Sequence, residues 1–206
     1  MLHHYAVVRK SGKIPNPNKM SIELRQQIEK VTSLTDQEFE YILSHFTTKR
    51  LKKNQFLIQE GDIVTNDYFV VRGLLKASHV DQEGKEHIMQ FALEDWWVTD
   101  YQAYFNQTNS TLNIDCIEPS ELLGISFQNR EKLCADLHKM DRFFRKKSNA
   151  GYVALQRRIL SLLNSNAKER YEQLLYHYPK LFQRVPKTLI ASYLGVSRET
   201  LSRLSS

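Results

Sequence analysis

The sequence predicts an α+β protein in which a small all-β roll is flanked by helices and followed by a helical C-terminal domain. Apolar residues repeat with a helical period near both ends of the chain, and short β-type runs separated by turn residues fill the middle. Near the C-terminus, a glycine interrupts two short amphipathic stretches. With 206 residues, of which 41% are hydrophobic, the chain is long enough to bury more than one core.

The N-terminal segment predicts a tail and two helices. Residues 1–20 are expected to be a flexible tail, because Ile14–Lys19 offers turn residues without periodicity. Met20 is a second candidate for the natural start of the chain. Amphipathic spacing predicts a first helix from Ser21, and a capping box at Thr35–Glu38 predicts a second.

The middle of the chain reads as a series of short strands. Turn signals occur at Glu60–Asp62, Arg72–Gly73 and Asp81–Gly84. The predicted strands are Gln55–Ile58, Tyr68–Val71, Leu74–Val80, Glu86–Phe91, Leu112–Ile117 and Leu122–Ser126. Many short strands joined by glycine turns predict a small barrel, roll or sandwich.

A long helix is predicted over residues 139–165, where the apolar residues fall near heptad-like intervals. These residues are Phe143, Phe144, Ala150, Ala154, Leu155, Ile159, Leu162 and Leu163. At a rise of about 1.5 Å per residue, a helix from Lys139 to Leu163 is roughly 35 Å long. Such a helix is a natural dimer seam, and packing within its own chain is the alternative.

Residues 166–206 predict a helix-turn-helix domain. Gly195 suits the left-handed turn between two helices, and Ser197 suits the N-cap of the second helix. That helix turns Leu201 and Leu204 inward. Its outward-facing residues are Arg198, Glu199, Ser202 and Arg203. Side chains of these types on this face are typical of a helix that enters the DNA major groove, and a solvated charged hairpin is the alternative.

The charge distribution favours the DNA interpretation. From Arg142 to Ser206 there are 13 Lys and Arg against 3 Asp and Glu, a net charge of +10. The whole chain carries +6, so residues 1–141 carry −4. A basic C-terminal third attached to an acidic body is the pattern of a nucleic-acid-binding module joined to another domain.

Composition also excludes several classes of site. Cys116 and Cys134 are too few and too far apart for a zinc or iron–sulfur set, so we expect no metal and no cofactor. The chain has no apolar run that could span a bilayer and no signal peptide. We therefore expect a cytoplasmic protein with no membrane partner.

The order of helices, roll, long helix and helix-turn-helix resembles the Crp/Fnr family of bacterial transcription regulators. Glu60–Asp62 followed by Tyr68–Gly73 is similar to the family's strand-turn signature, and Ser197–Arg203 is similar to the recognition helix of its cyclic-AMP-binding members. The resemblance covers about residues 21–206. It implies a cyclic-nucleotide-binding-like jelly roll over 21–138, a dimerisation helix over 139–165 and a DNA-binding domain over 166–206.

The resemblance also implies roles for individual residues. Arg198, Glu199 and Arg203 would contact base edges, with Ser202 on the same face. The candidates for contacts with backbone phosphates are Ser197, Thr200 and Lys187. The implied partners are double-stranded DNA with a palindromic operator and a second copy of the chain. RNA polymerase is a further candidate, through acidic and aromatic surface residues of the roll.

Two features depart from the family pattern. The family's Gly-Glu and Arg-Ser pairs, which hold the cyclic nucleotide, align with Thr99–Asp100 and Ser110–Thr111, so the phosphate-binding arginine is missing. We therefore predict that cyclic AMP binds weakly or not at all and that an unidentified small molecule is the effector. The expected pocket residues are Trp97, Asp100, Tyr101, Tyr104, Ser110 and Thr111, with core filling as the alternative for the aromatic ones.

The sequence ends at Ser206, where the family continues into a β-hairpin wing, so a wingless domain is expected.

Three hypotheses remain from the sequence. The leading one is a dimeric, sequence-specific transcription regulator with a sensory roll. The second is a constitutive DNA-binding protein whose roll is purely structural. The third is a small cupin-like β-barrel enzyme, which we do not expect, because the β region has no His-x-His pair and no catalytic set with motif support.

Overall fold

The computed structural model describes the backbone of residues 17–204 and the side chains of residues 20–204. The predicted tail over residues 1–16 lies outside the described residues. Residues 17–20 correct that prediction, because they belong to helix α1 (Pro17–Glu29), which begins before the predicted Ser21. A proline suits the first turn of a helix, where the missing amide donor would have no partner.

Helix α2 (Asp36–Leu43) confirms the predicted capping box. The Thr35 hydroxyl accepts a hydrogen bond from the Glu38 backbone at 3.2 Å, and the Glu38 carboxylate accepts one from the Thr35 backbone at 2.8 Å. This reciprocal pair satisfies two amide groups that have no partner inside the helix. It therefore fixes where the chain turns from α1 into α2.

The described residues contain two four-stranded antiparallel sheets that form the roll. Their strand orders are β1-β8-β3-β6 and β2-β7-β4-β5. The strands are β1 (Phe46–Leu51), β2 (Phe56–Ile58), β3 (Asn66–Arg72), β4 (Leu75–Val80), β5 (Glu86–Ala92), β6 (Trp97–Val98), β7 (Asn113–Cys116) and β8 (Ser120–Ser126). The α+β class and the β-roll are thus confirmed. Strands β1 and β6 were not predicted, because Phe46 continues the helical pattern of α2 and β6 has only two residues.

Seven more helices follow or interrupt the strands within the described range. They are α3 (Tyr101–Asn106), α4 (Phe127–Asp136), α5 (His138–Asn164), α6 (Ala167–His177), α7 (Pro179–Arg184), α8 (Lys187–Leu194) and α9 (Arg198–Leu204). Helix α5 matches the predicted long helix to within a residue at its start. No helix in this part of the chain has both the length and the apolar character needed to cross a bilayer.

Three apolar clusters hold these elements together. The first fills the space between the two sheets, and the second packs α1 and the first half of α5 against the outer face of the β1-β8-β3-β6 sheet. The third joins the roll to the helices after α5, because it contains Ile88 and Phe91 of β5 together with Ile190 and Leu194 of α8. The C-terminal helices are therefore docked on the roll.

Candidate functional site

The turn between α8 and α9 has the geometry that the sequence predicts. Gly195 adopts a left-handed conformation with φ of 68°, and its N–H closes the end of α8 on the carbonyls of Ala191 and Ser192. A side chain at this position would cost energy in that conformation. Ser197 then caps α9, because its hydroxyl accepts the Thr200 backbone N–H at 3.1 Å.

Helix α9 presents one buried side and one accessible side. Leu201 is 2% exposed and joins the third apolar cluster with Leu174, Ile190 and Leu194. The exposed side chains are Arg198, Glu199, Ser202 and Arg203. The structure thus brings the three residues predicted for base contact, together with Ser202, onto the accessible part of one short helix.

Electrostatics keep Glu199 ionised on this surface. A hydrogen bond from its own backbone N–H lowers the pKa of the Glu199 carboxyl below its ordinary value, with help from the Ser197 hydroxyl and from the charges of Arg198 and Arg203. An ionised carboxylate only accepts hydrogen bonds, whereas the two guanidinium groups only donate them. The surface therefore offers both acceptors and donors.

The predicted phosphate contacts lie around the same two helices. Lys187 is the first residue of α8 and is exposed. Ser197 is exposed and Thr200 is half-buried at the start of α9, with their hydroxyl oxygens 3.2 Å apart. Hydroxyl groups and backbone amides at the start of a helix favour anions such as phosphate.

Three of the six predicted pocket residues come together around one carboxylate. Asp100 caps α3 by accepting the Ala103 N–H at 3.1 Å. Its other oxygen accepts the Thr111 N–H at 2.9 Å, the Ser110 hydroxyl at 3.1 Å and the Thr111 hydroxyl at 3.2 Å. The donors that the aligned family positions would offer a ligand therefore bind Asp100. We call this group of Asp100, Ala103, Ser110 and Thr111 the Asp100 cluster.

The Asp100 cluster stabilises a buried negative charge. Asp100 is only 2% exposed, and burial opposes ionisation of its carboxyl. The hydrogen bonds from Thr111, Ala103 and Ser110 outweigh burial and hold the pKa of the carboxyl below its ordinary value. The Asp100 carboxylate thus accepts the hydrogen bonds of Ala103, Ser110 and Thr111, as a bound anion would.

Two of the three aromatic residues of the predicted pocket, Tyr101 and Tyr104, lie together on α3, and the third lies elsewhere. Tyr104 is fully buried between the sheets, and Tyr101 is partly exposed with its hydroxyl 3.4 Å from Asp67. Trp97 corrects the prediction, because it lies on the opposite face of the sheet among α1 and α5 and donates its N–H to Gln27 at 2.6 Å. Side chains alternate between the faces of a strand, so Trp97 and Val98 of β6 point to different cores.

A cavity of about 270 Å³ lies beside the loop between β2 and β3, and none of the six predicted pocket residues lines it. Its wall includes Leu57 and Val64, with Tyr68 and Lys49 nearby. The Lys49 ammonium lies 5.6 Å from the centre of the Tyr68 ring. Within the described residues, no group of three or more His, Cys, Asp or Glu could hold a metal ion.

Sequence reasoning missed a buried ion pair that joins the roll to the helices. Arg130 of α4 donates to Asp67 and to Ser148 of α5, both at 3.4 Å. Its guanidinium also lies 4.4 Å from the Phe144 ring and 5.0 Å from the Phe105 ring. The sequence contains no signal for this pair, because Asp67 and Arg130 are 63 positions apart.

The second half of α5 carries an uncovered apolar stripe. Tyr152, Leu155, Ile159 and Leu162 are between 45% and 70% exposed. Their spacings of three, four and three residues follow a heptad pattern with Ile159 and Leu162 at successive seam positions. We call these four residues the α5 stripe.

Comparison with known proteins finds one matching domain model and several similar regulators. A family model described as the cyclic nucleotide-binding domain matches residues 48–136. The Anaerobic regulatory protein of Aggregatibacter actinomycetemcomitans is 26% identical over 167 residues, which cover 76% of this chain and 64% of the relative. The chain therefore spans just under two thirds of that relative's length. The cAMP-activated global transcriptional regulator CRP of Haemophilus influenzae is 22% identical over 203 residues, 90% of each chain.

Solved structures share the fold. The c-di-GMP responsive global regulator CLP of Xanthomonas campestris superimposes with a TM-score of 0.67 at 16% identity, covering 82% of this chain and 89% of that chain. FixK2 from Bradyrhizobium japonicum gives a TM-score of 0.65 at 18% identity, covering 78% and 82%. The sequence relatives are named as regulators and not as enzymes.

Proposed function

We propose that the chain is a sequence-specific DNA-binding transcription regulator of the Crp/Fnr type that acts as a homodimer, which its similarity to the cyclic nucleotide-binding domain and to named regulators supports. The observation that carries the proposal is the exposed face of α9, with Arg198, Glu199 and Arg203 on a helix anchored by Leu201. Its partner is double-stranded DNA, so its proposed location is the cytoplasm.

The chemistry of α9 matches the edges of a G·C pair. An arginine can donate two hydrogen bonds to guanine O6 and N7, and an ionised glutamate can accept from the amino group of cytosine. In this proposal Arg198, Glu199 and Arg203 contact bases, with Ser202 beside them. Ser197, Thr200 and Lys187 hold backbone phosphates, which positions the helix without selecting sequence.

The α5 stripe supports dimerisation. Four large apolar side chains exposed at heptad spacing on one helix are unfavourable in water, and a second copy of the helix would cover them. A two-fold dimer with one recognition helix per copy reads a palindromic operator with half-sites about 34 Å apart. The proposed division into a roll over 21–138, a dimer helix over 139–165 and a DNA-binding domain over 166–206 follows the same logic.

The Asp100 cluster supports a sensor that does not use cyclic AMP. A cyclic phosphate at this place would meet the Asp100 carboxylate, and two buried anions repel each other strongly. The Haemophilus relative is named as cAMP-activated and the Xanthomonas neighbour as c-di-GMP responsive. We propose that the effector of this chain is a different small molecule, and that RNA polymerase is a candidate partner of the roll.

The same cluster favours a second candidate function. Because Asp100 satisfies its donors within the chain, the roll needs no ligand to complete this site. A constitutive DNA-binding protein with a structural roll would show this arrangement. The two candidates differ in one measurable respect, since only the first changes its DNA affinity when a metabolite is added.

Selection from a random pool of duplex DNA tests the proposal. The purified full chain is used without nucleotide and again with cyclic AMP. A palindromic consensus that is equally enriched in both conditions supports the regulator and the exclusion of cyclic AMP. Enrichment only with cyclic AMP would contradict the role of the Asp100 cluster. If no sequence is enriched in either condition, the selection is repeated with added cell extract, and a failure there too would contradict DNA recognition itself.

A further inference from the structure

The last residue of α7, Arg184, points at the roll. Its Nε and Nη2 donate to the two carboxylate oxygens of Glu118 at 3.0 and 2.7 Å. Its Nη1 and Nη2 donate to the two oxygens of Glu94 at 2.7 and 2.9 Å, and Nη2 also reaches the Gly73 carbonyl at 3.1 Å. Both carboxylates are therefore held by paired hydrogen bonds, the geometry that gives an arginine its strongest directional contacts.

The three partners of Arg184 come from three separate turns of the roll. Gly73 lies between β3 and β4, Glu94 between β5 and β6, and Glu118 between β7 and β8. Glu94 also accepts the Gly73 N–H at 3.1 Å, so two of the turns are bonded to each other. A side chain at Gly73, whose φ is 108°, would come within 2.3 Å of the Ser120 hydroxyl. Gly73, Glu94 and Glu118 thus form a binding site for the Arg184 side chain at one end of the roll. We call these three residues the Arg184 socket.

A second set of contacts docks the same domain elsewhere. The Ser192 hydroxyl of α8 donates to the Glu86 carbonyl of β5 at 2.8 Å. Arg158 of α5 donates to the carbonyls of Ile88 and Tyr193 at 3.0 and 3.1 Å, and lies 3.6 Å from the centre of the Tyr193 ring. The Glu86 and Ile88 carbonyls lie on β5, whereas the partners of Arg184 lie at the turns. Two separated attachments fix an orientation, which one attachment cannot do.

The attachment has a consequence for the spacing between the recognition helices of a dimer. The first half of α5 is fixed to the roll through Phe143 and Phe144, and α9 is fixed to α8 through Leu201. If the Arg184 socket holds the domain to the roll, the seam on α5 and the helix α9 belong to one rigid unit. Without it, the chain between α5 and α6, at Ser165 and Asn166, offers a swivel point.

We propose that Arg184 is a positioning residue that fixes the helix-turn-helix on the roll and thereby sets the distance and rotation between the two DNA half-sites. This inference rests on the proposed function, because it requires a dimer that reads a two-fold operator. Arg184 itself contacts the roll through each of its described hydrogen bonds. Its effect is on operator spacing and not on base choice.

The test uses a series of operators with the selected half-sites, in which the spacer is lengthened or shortened in steps of one base pair. One base pair rotates a half-site by about 35° around the DNA axis, so a rigid dimer should lose at least about tenfold in affinity per step. Arg184→Ala should keep the same preferred bases within each half-site. Its loss of affinity per step should shrink to less than about threefold, because a swivelling domain follows the half-site.

Two further variants separate positioning from misfolding. Glu118→Gln changes the roll and leaves the DNA-binding domain untouched, and it should flatten the spacing profile in the same direction. Arg50→Ala is the matched control, because Arg50 lies in the same region and pairs with Glu121 of the roll at 3.5 Å. This control should keep the wild-type profile.

The outcomes distinguish the two proposals. If Arg184→Ala and Glu118→Gln both keep the sharp spacing profile of the wild type, the positioning role is overturned. The proposed function then still stands. A wild-type protein that shows no preference for paired half-sites overturns the proposed function, and the spacing role falls with it. A flattened profile in both variants with unchanged base preference supports the inference.

Discussion

At the scale of single residues, Asp100 provides within the chain what the aligned family positions obtain from a ligand. It caps α3 and accepts four hydrogen bonds from Ala103, Ser110 and Thr111. The sequence shows Ser110–Thr111 where the family has an Arg-Ser pair. It does not predict that Asp100 accepts hydrogen bonds from these two residues. Whether a side chain forms hydrogen bonds with an external ligand or with its own neighbours depends on distances between loops. Those distances are defined only in the folded protein.

Replacing Asp100 by alanine tests the Asp100 cluster. We expect Asp100→Ala to lower the free energy of unfolding by about 1–3 kcal/mol, because α3 loses its cap and the Thr111 N–H loses its acceptor. Chemical denaturation followed by fluorescence measures the change. Tyr101→Phe, which leaves the cluster intact, serves as a control within the same helix. A stability of Asp100→Ala equal to the wild type would mean that the cluster contributes nothing to the fold.

Asp67 is a second residue whose environment makes a measurable prediction. Burial raises the pKa of its carboxyl to about 6, although the charge of Arg130 opposes the shift. Since the folded pKa lies above the unfolded value, the protonated form is favoured in the folded state. The stability from this group is full below about pH 3.8 and is lost as the pH rises through about 6, a contribution on the order of 3 kcal/mol.

Comparison with Asp67→Asn isolates that contribution, because the amide keeps the shape of the carboxyl and does not titrate in this range. Denaturation midpoints are measured for both proteins between pH 4 and 7. The wild type should lose stability relative to Asp67→Asn as the pH rises from about 4 to about 6. Parallel pH profiles would show that Asp67 titrates with an ordinary pKa.

At the scale of elements, helix α5 divides into a half that packs within the chain and a half that does not. Met140, Phe143 and Phe144 are buried against the roll, whereas the α5 stripe is exposed. The heptad-like spacing in the sequence predicts the whole helix as a seam. The proposed seam is therefore limited to Tyr152–Leu162, because Phe143 and Phe144 pack against Trp97 within the chain.

A charge placed on the α5 stripe should separate the dimer. Ile159→Glu puts two carboxylates into the proposed seam, and we expect the dimer dissociation constant to rise by at least about a hundredfold because a buried charge without a partner is costly. Gln156→Glu, which adds the same charge on an exposed neighbouring position, is the control. Sedimentation velocity measures both. A dimer of Ile159→Glu as stable as the wild type would place the interface elsewhere.

The elements that the sequence predicts share a strong local pattern. The capping box of α2 is confirmed, as are six strands bounded by turn residues. Strand β1, the short strand β6 and helix α7 were not predicted. Each of them is short or continues the pattern of its neighbour, so its conformation depends on contacts with other elements. Strand β1 pairs with β8, strand β6 pairs with β3, and helix α7 is attached through the Arg184 socket.

At the scale of the whole molecule, the basic helix-turn-helix rests on an acidic roll. Residues 142–206 carry a net charge of +10 and the rest of the chain −4. Glu94 and Glu118 place part of that acidic charge against Arg184, and the third apolar cluster joins the same two parts. The charge imbalance in the sequence predicts a DNA-binding module, but it contains no information on where the module docks.

Recognition of bases by α9 is tested by comparing the base preference of single variants. Operator selection is repeated with Arg198→Ala, with Arg203→Ala and with Lys53→Ala, a charge-matched control on an exposed turn of the roll. Each α9 variant should lose about 1–3 kcal/mol of specific binding and accept any base at one position of each half-site, while Lys53→Ala keeps the wild-type consensus. An unchanged consensus in both arginine variants would contradict the assignment of α9 as the recognition helix.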